Sequence, residues 1–222
     1  MSGSPQAGPV GVFGGTFNPV HYGHLRSALE LVEHLDLAEC RLMPSAQPPH
    51  RDAPDCSADH RAAMVELAVR GDPRLVCDRR ELERDGPSYT VDSLQEMRRE
   101  LGAGRSLVLV VGCDALLGLP TWHRWQSLLD LAHIVVLARP GWQLPEDGDM
   151  GAWLARHRLA DTTALRDLPC GGVHVESLRP LAISATEIRR LLESGKSARY
   201  LLPEQVLDYI DANTLYRQEN TD

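Results

Sequence analysis

Short apolar runs alternate with longer amphipathic stretches along most of this 222-residue chain. Val10 to Phe13 is a β-type run that stops at Gly14-Gly15, and a helical apolar period follows from about Gly23 to Leu35. Arg41 to Pro44 reads as a second strand and Leu75 to Cys77 as a short third. Leu107 to Val111 is apolar without alternation, the pattern of a strand buried on both faces, and Ile134 to Ala138 repeats it. Val173 to Val175 is the last candidate strand. Ser57 is expected to cap a helix through Val69, and Thr90 or Ser88 a helix to Leu101 that Gly102 stops. Two further helices are expected, at about Ser184 to Ser194 and Pro203 to Ala212.

This alternation predicts an α/β fold, a doubly wound parallel sheet with helices on both faces and helices at its C-terminal end. Residues 10–217 are read as a single domain, with 1–9 a flexible arm and 218–222 a tail. The least patterned stretch, 141–172, is read as a peripheral insertion around one helix, Met150 to His157. Pro48-Pro49-His50-Arg51-Asp52-Ala53-Pro54 is a loop, because paired prolines remove donors and block helix.

Composition narrows the function. The net charge of −8 argues against general nucleic-acid binding, which needs a basic surface. A small polyanion must then be held by a local cluster of donors. No apolar run approaches the roughly 18 residues of a membrane span, and the start lacks a signal-peptide pattern. Five scattered cysteines without a C-x-x-C pair suit reduced thiols, so a cytoplasmic location is expected.

The candidate chemistry begins at the turn Gly14 to His24. A strand that ends in two glycines and restarts as a helix puts that turn at the carboxyl end of the sheet, where open α/β sheets bind ligands. Glycines let a phosphate approach the backbone, and the helix start offers free N–H groups. His21 and His24, three apart, can aim two imidazoles at one point, with Gly23 between them keeping that face open. Near the other end, Ser184 can cap a helix whose first turn binds an anion, and Arg189 adds a charged fork suited to phosphate oxygens. Thr90 at a helix start can meet a carboxylate, and Trp122 can stack on a flat ring, with Trp125 assigned to packing. Asp114 follows the buried strand Leu107 to Val111, at the ligand edge, where it can bond a ribose hydroxyl or hold metal-bound water. Arg139 is a weaker nucleotide contact, and His60, Arg61, His123 and His133 are given no assigned role.

The string GGTFNPVHYGH resembles the G-x-F-D-P-x-H-x-G-H signature of the nucleotidylyltransferase superfamily, with Asn18 where Asp is usual. Ile183 to Arg189 resembles its second signature, I-S-S-T-x-I-R, with Ala185 replacing a frequent Ser. Pro48-Pro49-His50-Arg51, Ser88-Tyr89-Thr90-Val91-Asp92, Gly112-Cys113-Asp114 and Leu119-Pro120-Thr121-Trp122 occur in that order. Together they resemble the bacterial nicotinate-nucleotide adenylyltransferase family, from about Val10 to Arg217, fading across Gly141 to Gly172.

The resemblance implies a Rossmann-like nucleotidylyltransferase fold and adenylyl transfer from ATP to nicotinate mononucleotide, a step of NAD biosynthesis. It implies an ATP site at Gly14, Gly15, Thr16, Phe17, His24, Asp114, Ile183, Ser184, Thr186 and Arg189. His21, His24 and Arg189 are the expected catalytic groups, and His50, Arg51, Ser88, Tyr89, Thr90 and Trp122 the acceptor site. Direct in-line attack is expected, because the acceptor phosphate is already anionic and the chain has no P-loop or G-x-S-x-G elbow. Mg²⁺ is expected on the ATP phosphates, without a protein cage. The partners are then two nucleotides, with neither nucleic acid nor membrane, in a monomer or homodimer. Two alternatives remain open: a related transferase using phosphopantetheine or a polyol phosphate, and a nucleotide sensor without turnover.

Overall fold

Six strands form one parallel sheet in the order β3-β2-β1-β4-β5-β6. They are β1 (Val10–Gly15), β2 (Glu39–Pro44), β3 (Leu75–Cys77), β4 (Leu107–Gly112), β5 (His133–Ala138) and β6 (Val173–Ser177). The computed structural model describes residues 8–47, 56–138, 142, 144–179 and 181–217. The anticipated loop residues His50 and Arg51, the strand-end Arg139, and segments 1–7 and 218–222 lie outside that set.

The uniform apolar character of β4 follows from its place in the sheet. Val108 and Val110 point into one core layer with Leu31, Leu42, Val65, Ile188 and Val206. Leu107, Leu109 and Val111 point into the other with Val12, Leu94, Leu116 and Ile134. Successive side chains on a strand face opposite ways, so a strand covered on both sides has no polar face to alternate with. All six strands run the same way, with Phe13 paired to Leu42 on one side and Val110 on the other. The strand order reverses between β1 and β4, and a crevice opens there beyond their carboxyl ends.

The connecting helices are α1 (Tyr22–His34), α2 (Ala58–Val69), α3 (Thr90–Leu101), α4 (Cys113–Leu117), α5 (Gly148–His157), α6 (Ala164–Asp167), α7 (Ala185–Glu193) and α8 (Glu204–Ala212). Ser57 caps α2 by accepting from the His60 backbone N–H, and Ser184 caps α7 by accepting from that of Glu187. The start of α3 corrects the sequence reading: its N-cap is Tyr89, whose side chain makes no capping bond, and Thr90 is the first helical residue. Ser88 turns away instead, its hydroxyl accepting the Ala46 and Gln47 backbone N–H groups at 3.0 Å each. Gly102 ends the helix at φ +85°, a conformation natural to a residue without Cβ.

Residues 141–172, read from the sequence as a peripheral insertion, contribute to the core. They lead from β5 into β6, and Leu154 and Leu165 are buried in the two core layers. Trp153 packs edge-on against Trp125 at 5.4 Å, which places Trp125 in the packing role expected of it. Short helical turns at Cys113–Leu117, Leu119–Thr121 and Trp125–Leu128 were not evident in the sequence pattern. Among the described residues, no helix is long and apolar enough to cross a membrane.

Candidate active site

The crevice is a cleft of about 910 Å³ whose walls come from both ends of the chain. That volume suits a ligand of nucleotide size or larger. Its floor is the edge of β1 and β4. One wall is the opening turn with α7, and the facing wall is the start of α3 with the turn before Trp122.

On the first wall, Gly14, Gly15, Thr16, Phe17, Asn18 and His24 line the cleft, joined by Thr186 and Arg189 of α7. The two glycines differ in the room beside them. Gly14 has open space where a Cβ would project, whereas a Cβ on Gly15 would stand 3.0 Å from the Phe17 ring. Phe17 adopts a left-handed φ of 48°, uncommon for a bulky residue, and is buried. Its ring meets His24 edge-on at 5.1 Å and fixes that imidazole from below. His24 Nδ1 accepts the His21 backbone N–H at 3.3 Å, so its neutral tautomer carries the proton on Nε2.

His21 and His24 stack with ring centroids 3.8 Å apart, but they do not share the cleft. His24 lines it; His21 lies buried behind and is absent from the lining. The sequence reading aims both rings at one point; in the structure one ring is presented to the cleft and the other backs it. Gly23 serves that arrangement, since a Cβ there would stand 2.9 Å from the His21 ring and 3.5 Å from the Ile183 carbonyl oxygen. Burial lowers the His21 pKa to about 4. Burial, with the neighbouring His21 ring, lowers that of His24 to about 3. Both rings are therefore neutral donors near pH 7.

The closing motif is tied to the opening one. The Arg189 guanidinium donates to the Asn18 carbonyl oxygen at 2.7 Å while lining the cleft. Asn18 Oδ1 accepts the Tyr216 hydroxyl at 2.5 Å, which gives the Asn at this position a structural partner. Ser184 and Ile183 flank the cleft without lining it, Ser184 as the α7 cap.

On the facing wall, Ser88, Tyr89, Thr90 and Trp122 line the cleft, with Asp114 in the first turn of α4 just beyond β4. The first turn of α3, uncapped by a side chain, faces this space with its N–H groups and positive dipole end. Trp122 is half-buried against the core layer beneath. His123, to which the sequence assigned no role, stacks on Tyr89 with centroids 4.3 Å apart. Glu81 also lines the cleft, buried, accepting the Ser93 hydroxyl at 2.8 Å; burial pushes its carboxyl above the usual range.

Arg61 is another residue that the sequence left unassigned. Its side chain is buried, and its hydrogen bonds reach the Thr16, Ala46 and Cys56 carbonyl oxygens. The available signal was an Arg on the face of α2 shared with Ala62, Met64 and Val65. His60 bonds Tyr209, and His133 is buried between the Leu168 carbonyl and the Gly172 N–H, both away from the cleft. Among the described residues, no three His, Cys, Asp or Glu side chains are grouped to hold a metal.

A parallel sheet whose switch point carries glycines, a donor imidazole, a helix N-terminus and a fixed Arg is built to hold a phosphate-bearing ligand such as a nucleotide. Residues 12–191 match the family described as Cytidylyltransferase-like. A protein of Pseudomonas putida, named "Probable nicotinate-nucleotide adenylyltransferase", is 51% identical over 99% of this chain and 100% of its own length. A Pseudomonas aeruginosa protein of the same name is 52% identical over 94% of this chain and 97% of its own. The chain belongs to the nicotinate-nucleotide adenylyltransferase family of nucleotidyltransferases. The fold is shared with the Plasmodium falciparum nicotinic acid mononucleotide adenylyltransferase complexed with NaAD, at a TM-score of 0.71 and 16% identity, covering 94% of this chain and 97% of that one.

Proposed function

We propose that this chain transfers the adenylyl group of ATP to nicotinate mononucleotide, releasing pyrophosphate and forming nicotinate adenine dinucleotide. The observation that carries the reading is the two-walled cleft. Phosphate-directed donors occupy one side, and an aromatic ring beside an uncapped helix start occupies the other. Full-length relatives of that name support it.

An oxygen of the mononucleotide phosphate attacks the α-phosphorus of ATP in line, and the bond from that phosphorus to the bridging oxygen of the leaving pyrophosphate breaks. The attacking oxygen is already anionic, so no base removes a proton and no enzyme intermediate forms. Catalysis then consists of positioning and of stabilising charge on the phosphoryl oxygens. His24 Nε2–H is the donor to the reacting phosphate, with His21 holding it from behind. Arg189 and the first turn of α7, capped by Ser184, take the triphosphate. The opening glycines admit its approach. On the facing wall, the N–H groups at Thr90 meet the pyridine carboxylate and Trp122 stacks on the ring.

The donor set fits Mg²⁺ only as an ion carried on the phosphates and water, with Asp114, in the first turn of α4, the lining carboxylate nearest β4 in the chain. Bound there, the ion supplies positive charge to the triphosphate. The test is pyrophosphate release from ATP with each candidate acceptor in turn. Turnover with nicotinate mononucleotide should far exceed that with the amide form, phosphopantetheine or a polyol phosphate. Turnover with one of the last two alone moves the chain to another acceptor, and none with any acceptor makes it a nucleotide sensor.

A further inference from the structure

Arg61 occupies an unusual position for an arginine. Its side chain is only 1% exposed, within the layer of α2 that packs on the sheet. Nη1 donates to the Thr16 carbonyl oxygen at 2.7 Å, Nε to that of Cys56 at 3.2 Å, and Nη2 to that of Ala46 at 3.4 Å. A buried guanidinium is costly to desolvate, and a methionine or leucine would fill much of the same volume more cheaply. A planar fork of five N–H donors can do what those residues cannot: hold several carbonyl oxygens at fixed spacing.

The three carbonyls belong to different segments, Cys56 5 residues from Arg61, Ala46 15 and Thr16 45. Thr16 lies in the opening turn, between Gly15 and the left-handed Phe17 that props His24. Ala46 follows β2, and Cys56 precedes the Ser57 cap of α2. Ala46 is held from both sides, because its N–H is accepted by the Ser88 hydroxyl just before α3. A continuous path therefore runs from Thr16 through Arg61, Ala46 and Ser88 to Tyr89 and Thr90. It joins the phosphate wall of the cleft to the acceptor wall.

We infer that Arg61 is a positioning residue for adenylyl transfer, one that sets the separation between the two walls by tying the Thr16 carbonyl to Ala46 and, through Ser88, to the start of α3. This inference rests on the transfer reading above. In-line transfer brings two phosphates to reacting distance from opposite walls, and misplacement by about 1 Å is expected to slow it by up to 10²-fold. Arg61 touches neither nucleotide, so each wall still binds its own ligand when the tie is lost; the joint geometry is what fails.

The experiment compares the full-length wild type with Arg61→Lys, Ser88→Ala and the double variant. Three quantities are read: kcat with ATP and nicotinate mononucleotide, the Kd of an α,β-methylene ATP analogue without acceptor, and thermal melting. Arg61→Lys should melt as a folded protein and bind the analogue within about three-fold of wild type, while kcat falls about 10- to 100-fold. Ser88→Ala removes no buried charge, so it stays informative if Arg61→Lys proves unstable. It should lower kcat with the same unchanged analogue affinity. On one path the losses are not independent, and the double variant should fall little below the poorer single one. A folded Arg61→Lys enzyme with kcat within two-fold of wild type overturns the inference, as do losses that simply multiply in the double variant. A kcat loss matched by an equal loss of analogue affinity overturns it too, by reducing Arg61 to support of one wall. Wild type that makes no dinucleotide sinks the transfer reading and this inference together, whereas an active wild type with indifferent variants sinks this inference alone.

Discussion

The two walls of the cleft are built on different principles. On the phosphate side, the groups behind the surface are buried: Phe17 is 2% exposed, His21 5% and Asn18 8%. Each is locked by a ring contact or hydrogen bond to a neighbour. On the acceptor side, Thr121 and His123 are exposed, Trp122 is half-buried, and α3 begins without a side-chain cap. Burial and cross-bracing suit a wall that must present donors without rearrangement as charge moves. An open aromatic shelf beside free N–H groups suits a wall that admits one ligand and releases a larger one. On the proposed function, the first wall governs rate and the second the choice of acceptor.

The strongest way to break that division is His24→Ala. Loss of one preorganised donor should lower kcat by on the order of 10² to 10³, with the melting temperature and the acceptor KM little changed. A comparable rise in acceptor KM would erase the distinction between the walls. Next comes a pH test of the buried rings. Their folded pKa values, about 4 and about 3, lie below the ordinary 6.5. As pH falls below 6.5 the unfolded chain takes up protons that the native rings refuse, so stability drops with acidification. Between pH 7 and 5 the pair should cost on the order of 2–4 kcal/mol of unfolding free energy in urea titrations. Replacing His24 by Asn should remove roughly half of that dependence.

Gly23→Ala sharpens the same wall from behind. Its Cβ would sit 2.9 Å from the His21 ring, so the stack must shift. Overpacking of this kind costs roughly 1–3 kcal/mol, and kcat should fall along with the melting temperature. Trp122→Ala addresses the other wall: acceptor KM should rise about 10-fold, while the KM for ATP stays within two-fold. The smallest effect expected is that of Asn18→Asp. A carboxylate there still accepts the Tyr216 hydroxyl and leaves the Asn18 carbonyl to Arg189, so kcat should stay within about three-fold of wild type.

Much of this was legible in the chain. The strand Leu107 to Val111 announced itself because a strand covered on both faces has no polar alternation, and it lies within β4. Ser57 and Ser184 were readable as caps because capping is a contact across three residues. Thr90 and Ser88 were not resolved, since what decides between them is Ser88's bond to Ala46 and Gln47, some forty residues away. The core role of Leu154 and Leu165 was hidden for a similar reason. A crossover with two short helices shows little periodicity, and its burial depends on the sheet it returns to.

The succession of strands and helices along the chain and the opening and closing motifs were legible from residue order alone. These depend on periodicity and on residue types within a turn or two of one another. Tertiary structure alone decided which histidine faces the cleft. Both share one helix start, and only the packing of Phe17, Gly23 and Ile183 presents His24 and buries His21. It likewise decided what Arg61, Asn18 and Tyr216 do. Their partners stand 45 residues apart for Arg61 and Thr16, and 198 apart for Tyr216 and Asn18. No local pattern encodes such contacts; they exist once the sheet has brought both ends of the chain to one edge.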